Sequence, residues 1–225
     1  FVSPSHQFPT GCVLSAKRRV SLVDYAARNG MFIIEDDYDS EFRYEGYPLR
    51  SLFLMNPEIV IHAGTFSKNM FPSIRLGYMV VPESIASDIL ITKEKLQMRT
   101  PAQIQLAAAH FMKSGAFTRN IARMKRIYKR KHSLISQKLR DAFGGDIEIN
   151  SNAAGMHLNV SHKRYEFSAD DCRKFEEFGV RVDCEALYSL SGKKGGILLG
   201  FGNVSEKEIA EGIKRLKRAV DSVIG

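Results

Sequence analysis

Cysteine is scarce in this sequence and long apolar runs are missing, and each shortage closes a route. There are three cysteines in 225 residues, Cys12, Cys172 and Cys184. An odd number so widely spaced gives neither a disulfide framework nor a paired metal motif, so they read as reduced and structural. Apolar stretches such as residues 78–81 fall far short of the roughly 20 residues needed to cross a bilayer. No basic-then-apolar leader opens the chain, so the expected location is the cytoplasm, with no membrane partner. Internal repeats and low-complexity segments are also missing. The chain starts at Phe1, among the turn formers Ser3, Pro4 and Ser5, which predicts a piece of a longer protein.

A hydrophobic content of 44% in a chain of this length is enough for a full core and for two lobes. The formal charge of +8 is concentrated over residues 119–131, where Arg119, Arg123, Lys125, Arg126, Lys129, Arg130 and Lys131 fall on a helical segment. A solvated helix face accounts for such a run. The other reading is an electropositive surface that assists nucleic-acid binding, since attraction to phosphate needs only clustered positive charge.

Periodicity predicts a helix over 15–29, capped by Ser15, with Val20, Val23 and Ala27 on one face and Gly30 closing it. Residues 31–34 predict a strand buried on both faces, with further strands over 59–63 and 76–81. The last connection has no room for a helical crossover, so the third strand is expected antiparallel to the second. Helices follow over 84–98 and from Thr100, as cap, with Pro101 at the first helical position. A long amphipathic helix spans 116–143 and stops at Gly144-Gly145. Short strands are expected near 147–150, 156–160, 180–184 and 197–201, with helices begun by capping boxes at Ser168/Asp171 and Ser205/Glu208. The organisation is α/β: the later part of a large lobe over 1–115, then a linking helix and small lobe over 116–225.

The cluster Glu35, Asp36, Asp37, Asp39 and Glu41 lies where the first strand emerges, and open α/β sheets bind ligands at the carboxyl ends of strands. Helix capping and a solvated turn compete as structural readings. A calcium loop fails because Phe42 stands where the sharp turn demands glycine; a magnesium site using two of these carboxylates remains the alternative of another class. The run Gly64-Thr65-Phe66-Ser67-Lys68 follows the second strand and shares that rim. Its hydroxyls, with Arg75 seven residues beyond Lys68, suit a phosphate. A lysine, a phosphate cradle and a nearby carboxylate are what pyridoxal phosphate requires. By contrast, the Ser191-Gly192-Lys193-Lys194-Gly195-Gly196 run lacks phosphate-loop order and reads as a hairpin loop, and Arg43 and Tyr44 read as packing residues, the other reading being that they face a substrate or the second subunit.

The strings SPSHQFPTG (3–11), IIEDDYDSEFRYEG (33–46), GTFSKNMFPSIRLGY (64–78) and LLGFGNVSEKEIAEGIKRL (198–216) resemble the aminotransferase-like domain of MocR-type transcriptional regulators of the GntR family, the GabR- and PdxR-like group. Agreement in order spans nearly the whole chain. The resemblance implies a fold-type-I pyridoxal-phosphate domain that senses a small amine or amino-acid effector by forming an aldimine through Lys68; a working aminotransferase is the alternative. It makes Asp36 the partner of the pyridine nitrogen, brings Tyr38 to the phenolic oxygen, sets Thr65, Ser67 and Arg75 around the phosphate, and assigns no metal. Phe8 replaces the asparagine of the usual NPTG turn, and His6 or Gln7 either compensates or stabilises the turn. Leu198 falls where aminotransferases carry the arginine that grips the substrate carboxylate, with Arg181 on a neighbouring strand as a substitute. The resemblance further implies DNA contact through a winged-helix region preceding these residues, and a homodimer, with 94–112 (Gln97, Gln103, Gln105) as candidate contact. It places the remaining phosphate donors and the stacking aromatic before Phe1, so this chain alone is expected to bind cofactor weakly.

Overall fold

The Ser15 hydroxyl accepts the Arg18 N–H and begins α1 (Ala16–Arg28), which Gly30 closes at a positive φ of 61°. The helix is turned by about one residue from the expected face: Arg19, Val23 and Ala26 point inward, while Val20 is 47% exposed. The cause is Arg19, whose guanidinium donates to the carbonyls of Leu14, Arg50 and Pro4 at 2.9, 3.0 and 2.6 Å. The computed structural model describes residues 1–46, 49–96, 100–150 and 154–225.

After α1 come β1 (Ile33–Asp37), α2 (Leu52–Met55), β2 (Val60–Thr65), β3 (Gly77–Val80), α3 (Glu83–Leu96), α4 (Ala102–Lys113) and α5 (Ala116–Phe143). The sheet order is β1-β2-β3, with β1 parallel to β2 and β3 antiparallel to β2, as the short connection required. A core of Val23, Ala26, Ile33, Leu52 and Val60 lies between the helices and one face of the sheet. The first strand was expected to be buried on both faces and is not. Successive side chains of a strand alternate between faces; Ile33 and Glu35 turn inward, whereas Phe32 and Ile34 are 50% and 41% exposed and all of β3 is open. Pro101 is the N-cap of α4 rather than its first residue, and no side chain caps it; the Thr100 carbonyl instead accepts from Gln105.

These elements, up to Met124 and without residues 8–12, form one compact unit; Phe8–Cys12 and Lys125–Gly225 form the other. The division falls inside α5, later than the expected boundary at 115/116. In the second unit the order is β4 (Ile147–Asn150), β5 (His157–His162), α6 (Ala169–Lys174), β6 (Asp183–Cys184), β7 (Ile197–Gly200) and α7 (Glu206–Ile224). The strands form an antiparallel sheet, β4-β5-β7-β6. Both predicted capping boxes form, at Ser168/Asp171 and Ser205/Glu208. The unit buries Leu158, Phe167, Phe175, Phe201 and Leu216 almost completely. Cys172 and Cys184 are both buried free thiols, and burial first, then the neighbouring Cys184, pushes the Cys172 thiol well above its ordinary range. No helix among the described residues is long and apolar enough to cross a membrane.

Candidate functional site

The parallel register of β1 and β2 pairs Asp36 with Ala63 and Asp37 with Gly64, so the acidic cluster and the Thr65–Lys68 turn leave the sheet side by side. The Tyr78 ring lies over Gly64 from the antiparallel β3, in space a side chain would take: a Cβ there would come 2.3 Å from the ring and displace it. The Thr65 hydroxyl accepts the Ser67 N–H at 3.1 Å and lies 3.5 Å from the Leu76 carbonyl, shaping the turn that presents Lys68. Arg75 sits at the end of a short helical turn, Pro72–Ile74, with φ +46°, the only positive φ among the described non-glycine residues. Lys68 and Arg75 are exposed, and neither has a carboxylate within ion-pair distance among the described residues.

The acidic cluster separates into distinct tasks. Glu35, fully buried, accepts from the Leu52 and Phe53 backbone at 2.8 and 3.1 Å and lies 3.1 Å from His62 Nδ1, so it caps α2 from the neighbouring strand. Burial pushes its pKa up, but the His62, Leu52 and Phe53 bonds outweigh that, and the net displacement is downward. Asp37 accepts from the Ser40 backbone and hydroxyl, and Glu41 accepts from Asn69. Asp39, 2% exposed, lies 2.8 Å from His6 Nδ1. Burial raises the Asp39 carboxyl despite that bond and the nearby Lys68 charge. Asp36 is different: burial lifts its pKa, and the bond opposing that shift is a long one of 3.3 Å from the Ser3 hydroxyl. A part-buried carboxylate so thinly compensated suits a cationic N–H donor. The carboxylates of the cluster thus turn to separate partners, and among the described residues no group of three or more His, Cys, Asp or Glu side chains is placed to hold a metal ion.

Tyr38 donates its hydroxyl to the His6 carbonyl at 2.7 Å. Burial, then the charges of Asp39, Asp36 and Asp37, push its pKa well above the ordinary phenol range, so it stays a neutral donor. His6 is therefore a buried support that joins Asp39 to Tyr38, and Gln7 beside it is half-buried. Arg181 precedes β6 instead of lying on it, and its exposed guanidinium is 4.0 Å from Glu176. Leu198 is buried in β7 between Asn159 and Asp183 in register. Of the sequence candidates, one unit thus gathers His6, Gln7, Asp36, Tyr38, Thr65, Ser67, Lys68 and Arg75, while Arg181 stands in the other. The residues that sequence reasoning missed are supports: Arg19, Glu35 as a cap, and Asp39.

In the second unit, Asn159 is fully buried and donates to Glu185 at 2.8 Å and toward the Pro9 carbonyl at 3.4 Å, while accepting from Asn150 at 3.1 Å. The other Glu185 oxygen accepts the Gly196 N–H at 3.0 Å, which pins the loop expected around 191–196. A cleft of ≈ 410 Å³ lies over this network, lined among others by Thr10, His162, Tyr188, Lys193 and Lys194.

Residues 2–216 match the family described as aminotransferase class I and II. The chain is 39% identical over 228 residues to the HTH-type pyridoxine biosynthesis transcriptional regulator PdxR of Corynebacterium glutamicum, covering 97% of this chain and 48% of that protein. It is 31% identical over 221 residues to the probable rhizopine catabolism regulatory protein MocR of Rhizobium meliloti, covering 97% and 45%. It spans about half the length of the curated relatives it matches. Among solved structures, the kynurenine aminotransferase of Pyrococcus horikoshii, in complex with PMP, superposes with a TM-score of 0.91 at 25% identity, over 99% of this chain and 55% of that one. The fold is that of fold-type-I aminotransferases, and the chain belongs to the aminotransferase class I and II family.

Proposed function

We propose that this chain is the effector-sensing part of a MocR-type transcriptional regulator, with pyridoxal 5'-phosphate as its cofactor and Lys68 as the residue that holds it. The observation that carries the reading is the rim itself. Asp36, Lys68 and Arg75 are three charged groups poorly matched by protein partners, and they are the charges this cofactor needs. When bound, pyridoxal phosphate supplies an aldehyde that condenses with primary amines and a ring that draws electrons. Asp36 would hold the proton on the pyridine nitrogen. The Arg75 guanidinium would pair with the phosphate, where a planar fork gives two parallel bonds, with Ser67 beside it and Thr65 fixing the turn. Tyr38, kept neutral and anchored on the His6 carbonyl, would position the phenolic side of the ring. The exposed Lys68 amine would exchange with an amine or amino-acid effector.

Sensing is favoured over turnover because Leu198 occupies the position expected of the carboxylate-gripping arginine and is sealed in β7, while Arg181 is exposed beside Glu176. An apolar side chain cannot orient a carboxylate. The intact protein would act in the cytoplasm on DNA. We further propose that it does so as a homodimer, to which α4 contributes with Leu106, 69% exposed, and the exposed Gln103 and Gln105; Gln97, also expected there, lies outside the described residues. An effector that favours one of two states changes DNA affinity only through its different affinity for those states. The test is to incubate intact, cofactor-loaded protein with a panel of amino acids and amines, recording 2-oxo-acid production over many turnovers alongside operator binding. The expected result is a ligand-dependent change in DNA affinity with little turnover. Robust turnover with no effect on DNA binding would overturn the regulator in favour of an aminotransferase.

A further inference from the structure

We propose that α5 carries a second DNA-contact surface, a ridge of Arg119, Arg123, Arg126 and Arg130 that binds the phosphate backbone of duplex DNA without reading bases. The proposal rests on the regulator reading for its choice of partner, and on the helix for its geometry. The four arginines follow at intervals of four, three and four residues on one uninterrupted helix. At 100° and 1.5 Å per residue they share an arc of about 60° and a length of about 16 Å. All four are exposed.

Their charge is not cancelled at home. Arg119 donates to the Ser114 carbonyl and Arg123 to the Asn120 amide, both neutral acceptors. Among the described residues only Arg130 meets a carboxylate, that of the half-buried Glu206, so Arg119, Arg123 and Arg126 have no carboxylate within ion-pair distance. Residues 116–143 hold nine Lys or Arg and one acid, Asp141, a net of eight. That equals the formal charge of +8 of the whole chain, so every other residue together sums to zero. A solvated face needs no such segregation, since neutralising pairs along a helix are the usual arrangement.

The opposite face of α5 decides between polyanions. Tyr128, Ile135, Leu139 and Phe143 are buried, so no apolar stripe is left to enter a lipid headgroup layer as interfacial helices do. Arginine forks match phosphate oxygens, and backbone contacts of this kind position a duplex without conveying sequence.

The test is fluorescence anisotropy with a 30-base-pair duplex of arbitrary sequence, titrated by intact protein between about 50 and 200 mM salt, alongside its own operator. The ridge predicts that R119Q/R123Q/R126Q/R130Q, in which glutamine keeps helix propensity, retains its thermal melt and its cofactor absorbance. It also predicts more than tenfold weaker binding to the arbitrary duplex, with the salt slope reduced by about 3 to 4. K138Q/R140Q, on the same helix beyond the ridge, should bind like the wild type. R126E alone should weaken binding further than R126Q, which keeps the test valid if the quadruple variant unfolds. An unchanged slope in the folded quadruple variant, equal binding by R126E and R126Q, or loss of binding to phosphatidylserine vesicles in place of DNA would overturn the proposal. Failure of the regulator reading is distinguishable, because it removes operator preference and effector response while leaving the ridge's contribution to the salt slope.

Discussion

The two units treat their polar side chains in opposite ways. In the second, Asn159, Glu185, Asn150 and the Gly196 N–H bond one another in a network built on the strands of the four-stranded sheet. In the first, a similar investment in buried bonds surrounds the rim but stops short of it. Arg19 ties three carbonyls together, Glu35 caps α2, and Asp39 holds His6. Asp36, Lys68 and Arg75 are left with little protein around their charges. A polar group taken from water without a partner costs free energy, and that cost falls on the part-buried Asp36, whereas Lys68 and Arg75 are exposed and keep their charges in water beside it; under the proposed function this open rim is where the cofactor would supply the missing partners. The mutually bonded network in the second unit serves as framework.

That contrast breaks most readily at Arg19. Replacing it with Met strands three carbonyls in a packed site and is expected to cost about 3 kcal/mol, seen as a lower denaturant midpoint for the first unit. A midpoint within experimental error of wild type would mean the brace is dispensable. In the second unit, Gly196→Ala places a Cβ 2.7 Å from Asn159 Oδ1 and 2.9 Å from the Val160 carbonyl. An expected loss of about 2 kcal/mol should fall on the unfolding of that unit alone, and a shift in cofactor affinity with no loss of stability would blur the distinction. The smallest effect concerns Glu35 and His62. The Glu35 hydrogen bond raises the His62 pKa, so that contribution is complete below about 6.5 and fades as pH climbs through the raised folded value. Glu35 is displaced downward, so its share is present above about 4.3 and is lost as pH falls through the lowered folded value. His62→Gln should therefore flatten the stability profile above pH 6.5, and an identical profile for the two proteins would remove the pair from the account.

Much of this was legible in the sequence because local rules carried it. The span of α5, both capping boxes, the antiparallel third strand and the shared rim of Asp36 and Lys68 follow from spacing, turn chemistry and strand ends. The supports were not legible, because each joins residues distant in sequence. Arg19 looks like any helix-surface arginine until the Pro4 and Arg50 carbonyls arrive beside it. His6 and Asp39 are 33 positions apart. Glu35 did leave a signal: alternation from the buried Ile33 puts it on the inner face, where an acid must find donors, but its membership in an acidic run concealed that. The outward turn of Ile34 was missed because a short apolar run carries no period that separates one buried face from two.

The central claim is that Lys68 holds the cofactor. Intact protein loaded with pyridoxal phosphate should be reduced with borohydride, digested and mapped by mass spectrometry. The account predicts one phosphopyridoxyl label, on Lys68, lost in Lys68→Ala; a label on any other lysine, or bound cofactor that borohydride leaves unattached, would contradict it.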